Sequence, residues 1–292
     1  MSSLNSIGNN SVKRAIFAAT TFCFLLAPAP AQGQTSKEPQ ANPQKQNPLP
    51  DILVIRDGWQ ADPATVKKVL NSTARELWKN FPDRKLPPMI VYPKKGPITL
   101  YQRGPNDEIF IRLNTGKTFW AQYAFQFSHE LCHVLCEYDA DPHGNNWFEE
   151  SICELASLYT LRQMGETWKE NPPFDHWKSY SKHLASYAQQ RMERSELGKD
   201  ETLADWLRKN IQTLYANATR RDLNLVVATK LLPMFEENPE YWQAIEYLNK
   251  AKPKQRQSFQ RYLSDWRDSC PDEQKGVVDK IAAEFRITLE SK

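Results

Sequence analysis

Residues 119–137 read FWAQYAFQFSHELCHVLCE. Large apolar side chains cover most of the circumference of a helix built from this segment, which predicts a buried central helix. Among its polar residues are His129, Glu130 and His133, which interrupt the apolar surface. Burying such groups is costly unless they have partners, and a metal ion is the natural partner for this set.

The two histidines have the spacing of metal ligands. Positions four apart on an α-helix differ by only about 40° in rotation and about 6 Å in rise, so both imidazoles can share one ion, with Glu130 beside any water on it. A third ligand is available in residues 147–154, which read WFEESICE and include Glu150. Zinc accepts two neutral imidazoles and a carboxylate and keeps its fourth position for water in catalytic sites. The motif therefore predicts a zinc hydrolase.

The segment after the motif predicts a second acidic helix. Asn145 or Asn146 can cap its start, and apolar residues recur at helical spacing to about Met164. Glu150 and Glu154 are four apart, so they share one face of this helix.

Residues 51–138 predict an α/β subdomain that ends in the motif helix. Strands are predicted at 52–55 and 89–92, a helix at 62–80, and a hairpin at 98–102 and 108–113. Strand 108–113 is predicted to offer an open edge for an extended peptide.

Residues 139–292 predict a helical subdomain that carries the third ligand. Helix breaks are predicted near 171–173, 197–198, Pro233, Pro253 and Pro271. The predicted fold class is α+β, with a small mixed β-sheet and helices packed on a mainly helical C-terminal half.

The start of the chain predicts export. Two cations precede an apolar run at 15–26, and a small-residue cleavage signature follows at 29–31. We therefore predict a signal peptide at 1–31 and a secreted or periplasmic protein, with an uncleaved anchor as the alternative. Residues 32–50 have too few large apolar side chains to form a core, which predicts a disordered linker. No later stretch approaches the roughly 20 apolar residues of a membrane span, so no stable membrane insertion is expected after cleavage.

Charge and cysteine content narrow the possible partners. Removing Lys13 and Arg14 with the signal peptide lowers the formal net charge from +3 to +1. The remaining charges are interspersed, so a nucleic-acid partner is not expected. Four cysteines remain after cleavage, and an even count in an exported protein permits disulfides: Cys132, Cys136, Cys153 and Cys270. A bridge between Cys132 and Cys153 would join the two ligand segments, and buried free thiols are the open alternative.

The two segments together resemble the gluzincin metallopeptidases, the thermolysin-like and M1-aminopeptidase-like superfamily. In these enzymes HExxH is followed by a glutamate ligand in a segment similar to Trp-Leu-Asn-Glu-Gly-x-Ala-Glu. The resemblance implies a zincin-like fold and zinc-dependent hydrolysis of a peptide or protein substrate. It implies that His129, His133 and Glu150 bind Zn²⁺, that Glu130 is the general base, and that Glu154 is an acid beside the first histidine that orients its imidazole.

The resemblance also implies a group over the reacting carbonyl oxygen, supplied by the helical half. Tyr215 lies at about the right distance along the chain, and Arg220 and Arg221 compete with it. Three further residues are candidates for this role: His176, His183 and Tyr180. The motif with which M1 aminopeptidases hold a substrate N-terminus, Gly-x-Met-Glu-Asn, has no match, which favours an endopeptidase.

Other interpretations of the motif are open at this point. Asp139 occupies the position of a metzincin ligand, but Cys136 replaces the glycine that such sites need for their turn. A catalytically inactive, zinc-containing binding protein with a gluzincin fold is the alternative function. A hydrolase that acts on something other than protein is a third possibility.

Overall fold

The computed structural model describes residues 47–138, 144–252, 254 and 256–290. Residues 45–292 form one compact unit. The predicted signal peptide and most of the predicted linker lie outside the described residues. Within the described part of the chain, no helix combines enough length with enough apolar character to cross a bilayer.

Among the described residues, contacts with the folded unit are already present at Asn47, ahead of the predicted boundary at residue 51. The Asn47 amide donates hydrogen bonds to the carbonyl oxygens of Phe81 and Arg84, at 2.9 and 2.6 Å. The indole of Trp78 donates to the carbonyl oxygen of Pro48 at 3.0 Å. Asn47 and Pro48 therefore supply polar partners to Trp78, at the end of the first helix, and to the turn that follows it.

Four strands form one mixed sheet, and their bounds are β1 (Ile52–Val54), β2 (Met89–Pro93), β3 (Ile98–Arg103) and β4 (Ile109–Leu113). The strand order is β1-β2-β4-β3. The first two pairs are parallel, and β3 is antiparallel to β4. Alternate residues of β2 and β4 are fully buried, as expected for a sheet with one face in the core.

The strand order corrects one prediction. Strand β4, predicted as an open edge, lies between β2 and β3, so its backbone groups are paired on both sides. The parallel pairing of β4 with β2 could not be seen in the local hairpin pattern. The edge next to the motif helix is instead β3.

Two helices pack against the sheet, as predicted. Helix α1 (Pro63–Trp78) begins at Asp62, whose carboxylate accepts a hydrogen bond from the backbone N–H of Thr65. Proline at the first helical position suits this start, because the missing N–H would have no partner there. Helix α2 (Trp120–Leu135) carries the histidines and is buried on nearly every side.

The remainder of the chain is helical. It comprises α3 (Asn146–Thr167), α4 (Ser181–Met192), α5 (Leu203–Ala216), α6 (Arg221–Glu237), α7 (Phe259–Ser269), α8 (Asp272–Glu284) and the 3₁₀ segments Asp175–Tyr180 and Pro239–Tyr247. The predicted α+β class is therefore confirmed at the level of a mainly helical chain with a small mixed sheet.

The predicted break at Pro233 is wrong, and the one at Pro253 lies outside the described residues. Pro233 sits inside α6, where it removes one backbone hydrogen bond. Leu231, Leu232 and Phe235 are fully or almost fully buried on both sides of it, and their packing offsets that cost.

Helix α3 is the centre of the helical part. It packs against α1, α2, α4 and α6 and is buried around most of its circumference. Its N-terminal turns lie beside the histidines of α2 and carry Glu149, Glu150 and Glu154. The packing of α2 against α3 therefore brings the two ligand segments together.

Candidate metal centre

His129 and His133 occupy successive turns of α2 and face one region. Their ring centroids are 5.0 Å apart, with an edge-to-face angle of 73°. His129 is only 3% exposed, and His133 is partly buried. The helical spacing in the motif therefore produces the adjacent pair of imidazoles that the sequence predicts.

Glu150 approaches both imidazoles from α3. One carboxylate oxygen lies 3.2 Å from Nε2 of His129, and the other lies 3.7 Å from Nε2 of His133. Ligand atoms in a tetrahedral site with bonds of about 2.0–2.1 Å are roughly 3.4 Å apart. The two distances lie on either side of that value, so each imidazole has one oxygen of Glu150 near the separation that two ligands of one ion would have.

The other nitrogen of each imidazole faces a second carboxylate. Nδ1 of His133 is hydrogen-bonded to Glu149 at 2.6 Å, and Nδ1 of His129 lies 3.9 Å from the fully buried Glu154. Carboxylates in this position orient imidazole ligands and make them more basic. The role expected for Glu154 is compatible with its position, and Glu149 is a partner that the sequence analysis missed.

Glu149 is itself fixed by neighbours from the C-terminal part of the chain. The side-chain amide of Asn249 donates a hydrogen bond to Glu149 at 2.7 Å. The hydroxyl of Tyr262 donates to the amide oxygen of Asn249 at 3.0 Å. A buried polar chain thus runs from His133 into the helical part, and such chains hold the orientation of their members.

The charges of the cluster shift two pKa values in opposite directions. Burial alone would raise the pKa of Glu150, but the hydrogen bond from His129 and the nearby positive charges lower it to about 2. Burial opposes protonation of His133, yet the hydrogen bond to Glu149 and the surrounding carboxylates raise its pKa to about 10. The carboxylates therefore hold a positive charge at His133, either a proton or a metal ion that replaces it.

Cys153 is a rival third ligand, because its sulfur and one nitrogen of each histidine lie within 4.8 Å of one another. Burial raises the pKa of its thiol well above the ordinary value, whereas Glu150 is ionised. Metal ligands must be deprotonated, so Glu150 is the better third ligand.

Cys132, Cys136 and Cys153 form a second cluster of thiols. The sulfurs of Cys132 and Cys136 are 4.0 Å apart, which is packing distance and not a bond. All four cysteines predicted to survive cleavage are free and buried. The alternative of buried thiols therefore describes the structure, and the predicted option of a Cys132–Cys153 disulfide does not.

Glu130 lies beside the histidines and is only 2% exposed. The hydroxyl of Thr99, on the edge strand β3, is 3.1 Å from its carboxylate and 2.9 Å from its backbone carbonyl oxygen. Glu130 and His129 share the wall of a cavity of about 150 Å³. A carboxylate next to a metal position and open to a cavity has the placement that a general base needs.

The residues predicted to lie over the reacting carbonyl oxygen of the substrate are found in different places. Arg221 lines the cavity with His129 and Glu130, and Arg191 lines it as well, although no motif in the sequence points to Arg191. Tyr215 does not line this cavity, and it lies on α5 near Phe259.

The other candidates are also away from the cavity wall. Arg220 is paired with Asp222, and His176 stacks beside Phe174. Tyr180 and His183 line a neighbouring, more apolar cavity of about 300 Å³ that shares Gln122 and Tyr187 with the first one. Among the predicted residues, Arg221 is thus the one that the fold brings to the motif.

The donor set fits zinc. Two imidazole nitrogens and a carboxylate converge, and each imidazole has a carboxylate at its other nitrogen. Among the described residues, Nδ1 of His129 has no hydrogen-bond partner. A small movement of the imidazole toward Glu154, whose oxygen is 3.9 Å away, would give this nitrogen a hydrogen bond. Comparisons with protein-family models, curated proteins and solved structures gave no match to this chain. The interpretation of the site therefore rests on its own geometry.

Proposed function

We propose that this chain is an exported zinc-dependent peptidase with a zincin-like fold. His129, His133 and Glu150 would hold the ion, and zinc supplies Lewis acidity that promotes attack of water on a peptide carbonyl. The observation that carries the proposal is the position of Glu150, whose two oxygens reach the Nε2 atoms of both histidines at 3.2 and 3.7 Å.

Glu130 is the proposed general base. It would accept the proton of the attacking water and deliver it to the leaving amine, so that the peptide bond breaks into a carboxylate and an amine. Thr99 would keep the carboxylate in place through its hydroxyl at 3.1 Å.

The edge strand β3 supports a peptide as the substrate. Pro97, just before β3, lines the cavity, and Thr99 within β3 contacts Glu130. An extended chain can pair with an edge strand through main-chain hydrogen bonds. Docking along the start of β3 would carry a peptide past the cavity that contains His129.

Replacement of the proposed base tests the function. Glu130→Gln should keep its zinc but cleave an unfolded protein about 10²- to 10⁴-fold more slowly. Glu166→Gln, at an exposed position of α3, is the matched control and should behave like wild type. Metal content and product formation would be measured on the same samples, with and without a chelator.

Two results would count against the proposal. Unchanged cleavage by zinc-loaded Glu130→Gln would rule out the assigned base. Zinc binding by a wild-type protein that cleaves no peptide would instead favour the inactive zinc-containing binding protein.

A further inference from the structure

Two arginines dominate the charge of the cavity beside the motif. Arg191 projects from α4 and Arg221 from the first residue of α6, and both line the cavity with His129 and Glu130. Glu130 is the acidic residue on this wall. Two arginines against one glutamate leave the charged residues of this wall with a net positive charge, which attracts anions, and the low-dielectric protein around the cavity strengthens the field.

Arg191 is held in one orientation from two sides. One terminal nitrogen donates a hydrogen bond to Glu154 at 3.0 Å, and the guanidinium carbon lies 4.3 Å from the ring centre of Phe125. Its Nε atom is buried and has no hydrogen-bond partner in the described part of the chain. A buried donor that lacks a partner costs free energy unless a ligand or a water supplies an acceptor.

Arg221 is bound less tightly. Its contact with Glu154 is 3.5 Å long, and its side chain is 43% exposed. A guanidinium group has five N–H donors, so this single long contact leaves most of them for a ligand. The fully buried Glu154 is shared by both arginines, and Arg221 also interacts electrostatically with Glu150.

We propose that this pair of arginines binds a carboxylate of the substrate next to the bond that is cleaved. The proposal rests on the proposed peptidase function and names its substrate class, which is peptides with an anionic group near the scissile bond. The group is either the side chain of an acidic residue or the free C-terminus of a short peptide. Planar guanidinium groups bind carboxylates through paired, charge-assisted hydrogen bonds, so Arg221 is the specificity-determining residue.

Equilibrium binding tests the proposal without turnover. Zinc-loaded Glu130→Gln would be titrated with fluorescent peptides of one sequence that carry an internal Glu or Gln, each ending in a free carboxylate or an amide. We expect a peptide with a carboxylate at the recognised position to bind about 10- to 100-fold more tightly than the peptide that has an internal Gln and a C-terminal amide. The Glu/Gln arm and the carboxylate/amide arm separate the two sources of the anion.

Substitutions at adjacent arginines provide the matched control. In the Glu130→Gln background, Arg221→Gln should remove most of this preference, and Arg221→Lys should restore part of it. Arg220→Gln, next in the chain but paired with Asp222 and away from the cavity, should keep it. Unchanged zinc content in Arg221→Gln would show that the loss concerns the peptide and not the fold.

The outcomes distinguish this proposal from the proposed function. Equal affinity for all four peptides, or a preference that survives Arg221→Gln, would overturn the anion site even if wild type cleaves peptides. A preference that depends on Arg221 in a wild-type protein without hydrolytic activity would support the anion site and overturn the peptidase.

Discussion

Glu149 and Glu150 are neighbours in the chain, yet they contact different nitrogens of His133. Glu150 lies on the Nε2 side with His129, and Glu149 bonds Nδ1 at 2.6 Å. Successive residues of a helix point about 100° apart, so the pair can hold one imidazole between them. In the proposed zinc site, Glu150 would bind the ion and Glu149 would orient its ligand His133.

The two glutamates should respond differently to substitution. Glu150→Ala should lose its zinc, because only two ligands remain for a site that needs three from the protein. Glu149→Ala should still bind zinc, but about 10- to 100-fold more weakly, as expected for a group that only orients a ligand. Metal content after dialysis and competition with a chelator measure both effects. Full zinc content in Glu150→Ala would remove Glu150 from the ligand set.

The metal-free protein should become less stable in alkali. Against the effect of burial, Glu149 and its neighbours raise the pKa of His133 from 6.5 to about 10. A histidine whose pKa is higher in the folded state stabilises the fold, and this stabilisation is complete at pH values below its pKa in the unfolded state. The stabilisation is lost as the pH rises through the pKa of the folded state. The urea midpoint of chelator-treated protein should therefore fall between about pH 6.5 and pH 10. Glu149→Gln should flatten this dependence, and a flat profile for the unsubstituted protein would contradict it.

The site could be predicted from sequence only where its residues follow from local spacing. His129, Glu130 and His133 are fixed by one helix, and Glu150 follows from its similarity to a known ligand segment. Glu149 was missed because two adjacent glutamates give no local sign of which nitrogen each one faces. Arg191 was missed because its approach depends on the packing of α4 against α3, which no short motif encodes.

At the scale of elements, the close approach of α3 and α4 positions the cationic wall. A Cβ atom added at Gly165 of α3 would lie 3.2 Å from the Cβ of Ala185 on α4. Helix α4 also carries Tyr187 and Arg191 to the cavity. The absence of a side chain at Gly165 therefore lets α4 pack close enough to contribute to the site.

A larger residue at this contact should destabilise the protein. Gly165→Leu should lower the free energy of unfolding by about 1–3 kcal/mol through overpacking. The control is Gly276→Leu on an exposed face of α8, where a Cβ atom added at the glycine would have no neighbouring atom within 4 Å. This substitution should raise the free energy of unfolding by about 0.5–1 kcal/mol, because leucine has a higher helix propensity than glycine. Urea unfolding measures both changes. Equal effects at the two glycines would show that the contact with Ala185 does not limit the packing.

The element boundaries show what periodicity can predict. The strands and the first three helices lie close to their predicted positions, because each has a clear period and clear end signals. Pro233 misled the prediction, since the burial of residues on both sides keeps α6 continuous. The place of β4 inside the sheet depends on pairing with the distant β2, and a local pattern carries no information about it.

At the scale of the whole molecule, the folded unit needs residues that the composition assigned to a linker. Pro48 gives the indole of Trp78, which is 2% exposed, its hydrogen-bond acceptor. A fragment of residues 45–292 should therefore keep the stability that this contact provides. A fragment of residues 51–292 should be less stable by at least about 1–3 kcal/mol, the cost of leaving a buried donor unpaired. Equal stability of the two fragments would contradict this expectation.

Glu154 connects the proposed metal site to the two arginines, because it contacts residues of three other helices. It stands beside His129 of α2 and also bonds Arg191 of α4 and Arg221 of α6. A ligand that draws the arginines away would leave the carboxylate freer to engage the imidazole. By thermodynamic linkage, an anionic ligand that changes the affinity for the metal by a given factor must have its own affinity changed by the metal by the same factor. The proposed ion and the proposed anion would thus be effectors of each other through one buried carboxylate.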